Sequence, residues 1–251
     1  DRGTDPTSYD IPEIYGALRG NVGGNITINV HGSHIENITG ASNSSDVKGN
    51  VTINATNVEL KNSYYEDPDY DEGDILANNK STVDGSCVVN VDGGDVNIIR
   101  LTNCEELNDN SQITITGPKI RTGVLSTTNY TSAPTNAPNV TLTACNAEIP
   151  FIQSATGVSV TDNSDVTLHG LWLAGDLTVD AGSSLKTEDD IVELEGNAVI
   201  NGTWEQFYDE ADGGNYDTDV AGTMEVGSDG QYISHGTTRV TGDVSSSGLM
   251  A

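Results

Sequence analysis

The stretch GNITINVHGSHI, residues 24–35, returns 25 positions later as GNVTINATNVEL, residues 49–60. Both alternate apolar and polar side chains, the period that puts one face of a β-strand against a core and the other toward solvent. The alternation recurs at Ile26-x-Ile28-x-Val30, Val51-x-Ile53-x-Ala55, Cys87-x-Val89-x-Val91, Ile113-x-Ile115, Val140-x-Leu142-x-Ala144 and Val166-x-Leu168. All but one of the steps between these starting positions is roughly 26 residues, a spacing that marks repeat architectures. The one long step, from Val51 to Cys87, contains an acidic insertion, YYEDPDYDEGD, at 64–74.

Second apolar pairs follow seven to nine residues after the first, at Val58-x-Leu60, Val96-x-Ile98, Ile149-x-Phe151 and Leu171-x-Leu173. Strand, turn, strand, turn in about 26 residues is the span of one coil of a parallel β-helix, whose inward side chains are covered only when coils stack. After residue 175 the spacing loosens, but GDLTVDAGSSL, GNAVINGTW and GTMEVGSDGQYI keep the same order of short strand and glycine-bearing turn. An antiparallel sandwich also has frequent turns, but has no reason to repeat at a fixed spacing. The expected fold is therefore all-β: a single right-handed parallel β-helix of about eight coils, roughly 25–27 residues each, on the order of 40 Å long. It occupies 16–245, with insertions near 64–80 and 205–219, an N-terminal arm at 1–15 and a tail at 246–251.

Outward Asn, Thr and Asp would stack into polar ladders, and Asn and Gly suit corners that need left-handed backbone. This use of Asn and Gly needs no ligand. Charge narrows the partners. With 38 acidic residues against 10 Lys plus Arg, the formal charge is −28, which repels nucleic-acid phosphates and anionic lipid and favours cations. The same charge also serves as a solvated skin. No apolar run reaches the roughly 20 residues of a membrane helix. The chain opens at Asp1, as a secreted protein does once its signal peptide is removed. Cys87, Cys104 and Cys145 lack metal-binding spacing; one disulfide or three buried thiols both fit.

Residues 13–60, EIYGALRG through NATNVEL, resemble repeats of large secreted microbial surface proteins. GDLTVDAGSSLKTEDD at 175–190 and GTMEVGSDGQYI at 222–233 resemble strand-turn units of adhesins and autotransporter passengers. The resemblance implies a right-handed β-solenoid of the pectin-lyase-like type, acting at the cell surface as an adhesin, stalk or coat.

Some parallel β-helices are polysaccharide lyases or hydrolases, which need basic or acidic groups set about the scissile bond. Arg2, Arg19, Arg100, Arg121 and Arg239 form no cluster with Asp in the sequence, and the LHG at 168–170 and SHG at 234–236 lack an accompanying Arg-x-Lys. Asp189-Asp190 is the best carboxylate pair, and adjacent acids are common in so acidic a chain. There is no Gly-x-Ser-x-Gly elbow. A non-catalytic protein is the expectation.

Calcium needs six to eight oxygens, which alternating carboxylates in a glycine-bearing loop supply. Asp67, Asp69, Asp71 and Asp74 in one insertion, and Asp209, Asp212, Asp217 and Asp219 in the other, are the candidate ligands. The first loop departs from the EF-hand pattern, with Gly73 one place late and Asn78 at the twelfth position. Tyr64, Tyr65, Tyr70, Trp204, Tyr208 and Tyr216 lie beside these acids and make a candidate carbohydrate surface, since function concentrates on loops carried by a rigid scaffold. Nine Asn-x-Ser/Thr sequons, at Asn25, Asn37, Asn43, Asn50, Asn54, Asn79, Asn129, Asn139 and Asn201, are candidate glycosylation sites. The expected function is an extracellular structural or adhesive protein that self-assembles through its ends. The alternative is a calcium-dependent polysaccharide-binding module or polysaccharide-cleaving enzyme.

Overall fold

The computed structural model describes residues 13–32, 34–42, 45–60, 73–102, 110–126, 139–188, 192–207 and 217–251. These residues form strands and turns without a helix. The pairings between strands are parallel, and they join the strands into a 20-stranded sheet and a separate 3-stranded one. The protein is thus all-β with long parallel sheets, an arrangement compatible with a parallel β-helix.

One ladder runs through the described chain without a break. Its registered positions are Ile14, Ile38, Ile75, Ile99, Leu125, Ile152, Leu171, Val192, Thr218 and Thr238. A second ladder aligns Ile28, Ile53, Val89, Ile113 and Val140. Farther along, a run of Val158, Leu177, Ala198, Met224 and Val244 is aligned in the same parallel manner. A third ladder aligns Ala147, Val166, Leu185, Trp204, Tyr232 and Met250. Inward residues from all three ladders belong to one apolar cluster. Each fully buried Ile, Val or Leu contributes roughly 1.5–3 kcal/mol of hydrophobic free energy, so stacking is what stabilises strands of three or four residues.

The repeat length changes along the first ladder. Its steps in sequence number from Ile14 to Ile152 are 24, 37, 24, 26 and 27; from Ile152 to Thr238 they are 19, 21, 26 and 20. The expected period therefore describes the N-terminal part alone. In particular, the step from Val140 to Val166 is not a ladder step, because Val166 pairs with Ala147. Period-two alternation looks the same on every ladder, so apolar spacing cannot tell which one a Val-x-Leu pair joins. In the first three repeats the surplus residues include Gly20–Val22, Ser45–Val47 and Thr82–Val83, which make up the 3-stranded sheet.

The glycine-asparagine pairs that open the repeats have a packing reason. The Asn25 side-chain oxygen accepts the Asn50 backbone N–H at 2.9 Å, and that of Asn50 accepts the Ser86 N–H at 2.9 Å. Gly49 lies against the Asn25 carboxamide and Gly85 against that of Asn50, where any Cβ would collide. Asn197 repeats the device by accepting the Thr223 N–H at 2.9 Å, with Gly222 beside it. A second amide ladder links Asn29, Asn54 and Asn90 through side-chain bonds of 2.7 and 2.8 Å. Asn therefore caps a backbone donor of the following repeat, and glycine leaves the space for it.

The core changes character toward the C-terminus. Trp204 is 0 % exposed, packs edge-on to Tyr232 with ring centroids 5.0 Å apart, and donates its indole N–H to the Thr187 hydroxyl at 3.1 Å. The Tyr232 hydroxyl donates to the Gln206 side-chain oxygen at 3.2 Å and lies 2.6 Å from the Thr238 hydroxyl. Burial raises the Tyr232 pKa, and the hydroxyls of Thr238 and Ser234 oppose part of that rise. Cys87 and Cys145 are buried, and burial pushes the Cys145 thiol up. Residues 246–251, expected as a tail, include the strand Leu249–Met250, which pairs with Gln231 and Tyr232 and extends the stack.

Candidate functional site

The outward positions of the first ladder hold the most varied chemistry. Their registered order is Tyr15, Thr39, Leu76 and Arg100 and, beyond the strand Gln112–Ser126, Gln153, Trp172, Glu193, Asp219 and Arg239. Thr39, Leu76 and Arg100 are buried although they alternate with inward residues, while Trp172 is half-buried and Glu193 and Arg239 are exposed. The Gln153 carboxamide nitrogen is buried without a hydrogen-bond partner among the described residues, one ladder position from Trp172. Asp219 pairs with Arg239 at 3.6 Å. A cavity of about 260 Å³ opens beside this strip, lined by Glu193, Glu195, Asp219, Arg239 and Thr241 among others. Backbone alternation positions these side chains: Leu171 and Leu173 point into the core, which turns Trp172 outward.

A larger groove, about 500 Å³, follows the turns at Asp162, Asn163, Asp180, Asn201 and Asp229. Asp162 and Asn163 adopt φ of 54° and 58°, and Thr143 donates its hydroxyl to Asp162 at 2.7 Å. Among the described residues, no group of three or more His, Cys, Asp and Glu side chains is arranged to hold a metal ion. On the third ladder Phe207 stacks on His235 with centroids 4.8 Å apart, Lys186 sits 4.2 Å over the Phe207 ring, and His235 contacts Glu205 at 3.2 Å.

The expected sites are placed unevenly. Asp67, Asp69, Asp71, Asp209 and Asp212, with Tyr64, Tyr65, Tyr70, Tyr208 and Tyr216, lie outside the described residues, as do Asn43 and Asn129. Asp74 and Asp217 each open a strand, and the Asp74 backbone N–H donates to the Asn37 side-chain oxygen at 3.0 Å. Asp219 faces Arg239. Trp204 corrects the carbohydrate expectation: its ring is wholly inside the core and offers no face to a sugar. Proximity to acidic residues in sequence concealed that Trp204 occupies an inward position of its strand.

The sequons divide by what their carboxamides do. Asn25, Asn50 and Asn139 are exposed; Asn37, Asn79 and Asn201 are half-buried. Asn54 is half-buried, and its side-chain nitrogen donates to Asn29. That nitrogen is the atom a glycan would occupy, and in the folded stack one of its two hydrogens is engaged in the amide ladder. Trp172 is the middle residue of the alternating pair Leu171-x-Leu173, which already places it opposite the two leucines. Strict alternation around Leu171 and Leu173 is the signal that separates it from the core.

Compared with known proteins, the chain matches no family model, no curated protein and no solved structure.

Proposed function

We propose that the chain is a single right-handed parallel β-solenoid, with longer coils before Ile152 giving way to shorter ones after it, that serves outside the cell as a non-catalytic structural or adhesive element. The observation that carries this reading is the ten-position ladder from Ile14 to Thr238. Nearly every described segment takes part in stacking, with apolar ladders inside and amide ladders outside, which is how a rod obtains stiffness from short strands. The resemblance to secreted surface repeats and the charge of −28 support an extracellular setting.

The filament part of the proposal is that rods associate end to end. The strands Thr237–Val240, Val244–Ser246 and Leu249–Met250 pair on one side only among the described residues, and Val244, Leu249 and Met250 are 50, 49 and 39 % exposed. Unpaired edges with apolar side chains favour the addition of further strands. Sedimentation velocity across concentration tests this directly. The expected result is concentration-dependent oligomers that Val244→Glu with Leu249→Glu disperses, together with an elongated frictional ratio. A compact monomer at every concentration overturns the filament reading, and release of unsaturated or reducing sugars from polysaccharides overturns the non-catalytic one.

A further inference from the structure

We propose that the outward strip from Gln153 through Trp172, Glu193 and Asp219 to Arg239 binds a neutral, extended oligosaccharide. The five positions follow one another across neighbouring parallel strands. At the strand spacing of a sheet they span about 19 Å, enough for several sugar units laid along the ladder. The inference goes beyond the scaffold reading, because it concerns the outer face alone and does not depend on how rods join.

A pyranose has a C–H-rich face and a rim of hydroxyls. It is matched by an aromatic plane with hydrogen-bonding groups on either side, and the strip has that order. Trp172 is outward and half-buried between Gln153 and Glu193. The Gln153 side-chain nitrogen is a buried donor with no acceptor among the described residues, a condition folded proteins rarely leave uncorrected. Once the Gln153 carboxamide turns toward the neighbouring Trp172, a sugar hydroxyl over the ring supplies that acceptor. Glu193 accepts from hydroxyls on the other side, and the 260 Å³ cavity that it shares with Asp219 and Arg239 continues the track. Asp219 and Arg239 already neutralise one another, so the strip has no free positive pair with which to clamp a carboxylated sugar. The net charge of −28 further disfavours polyuronates and sulfated glycans, which selects the neutral class.

The chain has only two tryptophans, Trp172 and Trp204. In a Trp204→Phe background, emission therefore reports on Trp172 alone. We would titrate this variant and the unaltered chain with cellohexaose, xylohexaose and mannohexaose in EDTA, with polygalacturonate as the charged comparator. The expected result is a saturable change in Trp172 emission with at least one neutral hexasaccharide. In the unaltered chain, calorimetry should show affinity falling at least tenfold in Trp172→Ala and severalfold in Gln153→Ala. Trp172→Phe, which keeps an aromatic plane, should retain part of the binding. The proposal is overturned if none of the three neutral sugars changes the emission, if binding survives Trp172→Ala at full strength, or if polygalacturonate binds more tightly than all of them. Circular dichroism and sedimentation of the same variants keep loss of sugar binding distinguishable from loss of the rod or its association.

Discussion

The repeats before about residue 152 and those after it solve the same stacking problem with different means. Before it, a repeat outside the insertion takes roughly 25 residues, and the second ladder stacks Ile28, Ile53, Val89, Ile113 and Val140. After it, most steps shorten to roughly 20 residues, and the third ladder stacks Leu185, Trp204 and Tyr232. The early core is aliphatic; the late one places Trp204, Tyr232, Gln206 and Thr218 together in buried positions. The first repeats include the extra strands Gly20–Val22, Ser45–Val47 and Thr82–Val83. The late core holds larger side chains whose polar ends are hydrogen-bonded to one another. Both parts fill their interior closely, with different side chains.

The largest break in this comparison should come from Trp204→Ala. Removing a ring that is 0 % exposed costs about 3–5 kcal/mol. Since stability in stacked repeats is mostly nearest-neighbour, amide exchange should accelerate in the described strands between 185 and 240 while those between 26 and 100 stay protected; uniform acceleration would show that the halves are one cooperative unit. Next comes Gly94→Val in the N-terminal part. Gly94 has φ of 111°, and a Cβ there would meet the Val58 carbonyl oxygen. Overpacking alone costs about 1–3 kcal/mol, read as a lower urea midpoint with the early repeats opening first.

Alkali sharpens the difference chemically. The folded Tyr232 pKa is raised above its ordinary 10.0, chiefly by burial, so the neutral phenol is favoured in the fold. Its contribution to stability is complete below pH about 10 and is lost as pH climbs through the raised folded value. Thermal melts should show the late repeats weakening above pH about 10, and Tyr232→Phe should flatten that dependence. Asn50→Ala is a smaller test on the other side: leaving the Ser86 N–H without its 2.9 Å acceptor should cost about 1 kcal/mol by urea denaturation. Smallest of all, Lys48→Ala removes an exposed 3.0 Å pair with Asp84 and should leave the midpoint unchanged.

Much of this was legible in the residues. Alternation at Ile26–Val30 and Val51–Ala55 implied strands, and the regular offset between them implied parallel stacking, as Ile28 against Ile53 bears out. Asn54 was readable as an outward ladder residue, and it lies between Asn29 and Asn90. The change of period is legible only as looser spacing after residue 175, because the strand Asn139–Thr161 continues through a corner, with Ala144 at φ of 47° where glycine or asparagine would be expected. Without a turn residue to punctuate it, Val140 and Ala147 could not be assigned to separate ladders.

The aromatic residues divide along the same line. Alternation and composition dictate that short strands must stack, since no single repeat can cover its own apolar face. They also dictate an outer skin of amides and acids. Which of two tryptophans is core and which is surface was decided by register: Trp204 aligns with Leu185 and Tyr232 inside, Trp172 with Gln153 and Glu193 outside. The physical reason is that a one-residue slip in a strand exchanges its two faces, and register is set by contacts between residues far apart in the chain, such as Ile152 with Leu171 and Ile38 with Ile75, which local pattern does not contain.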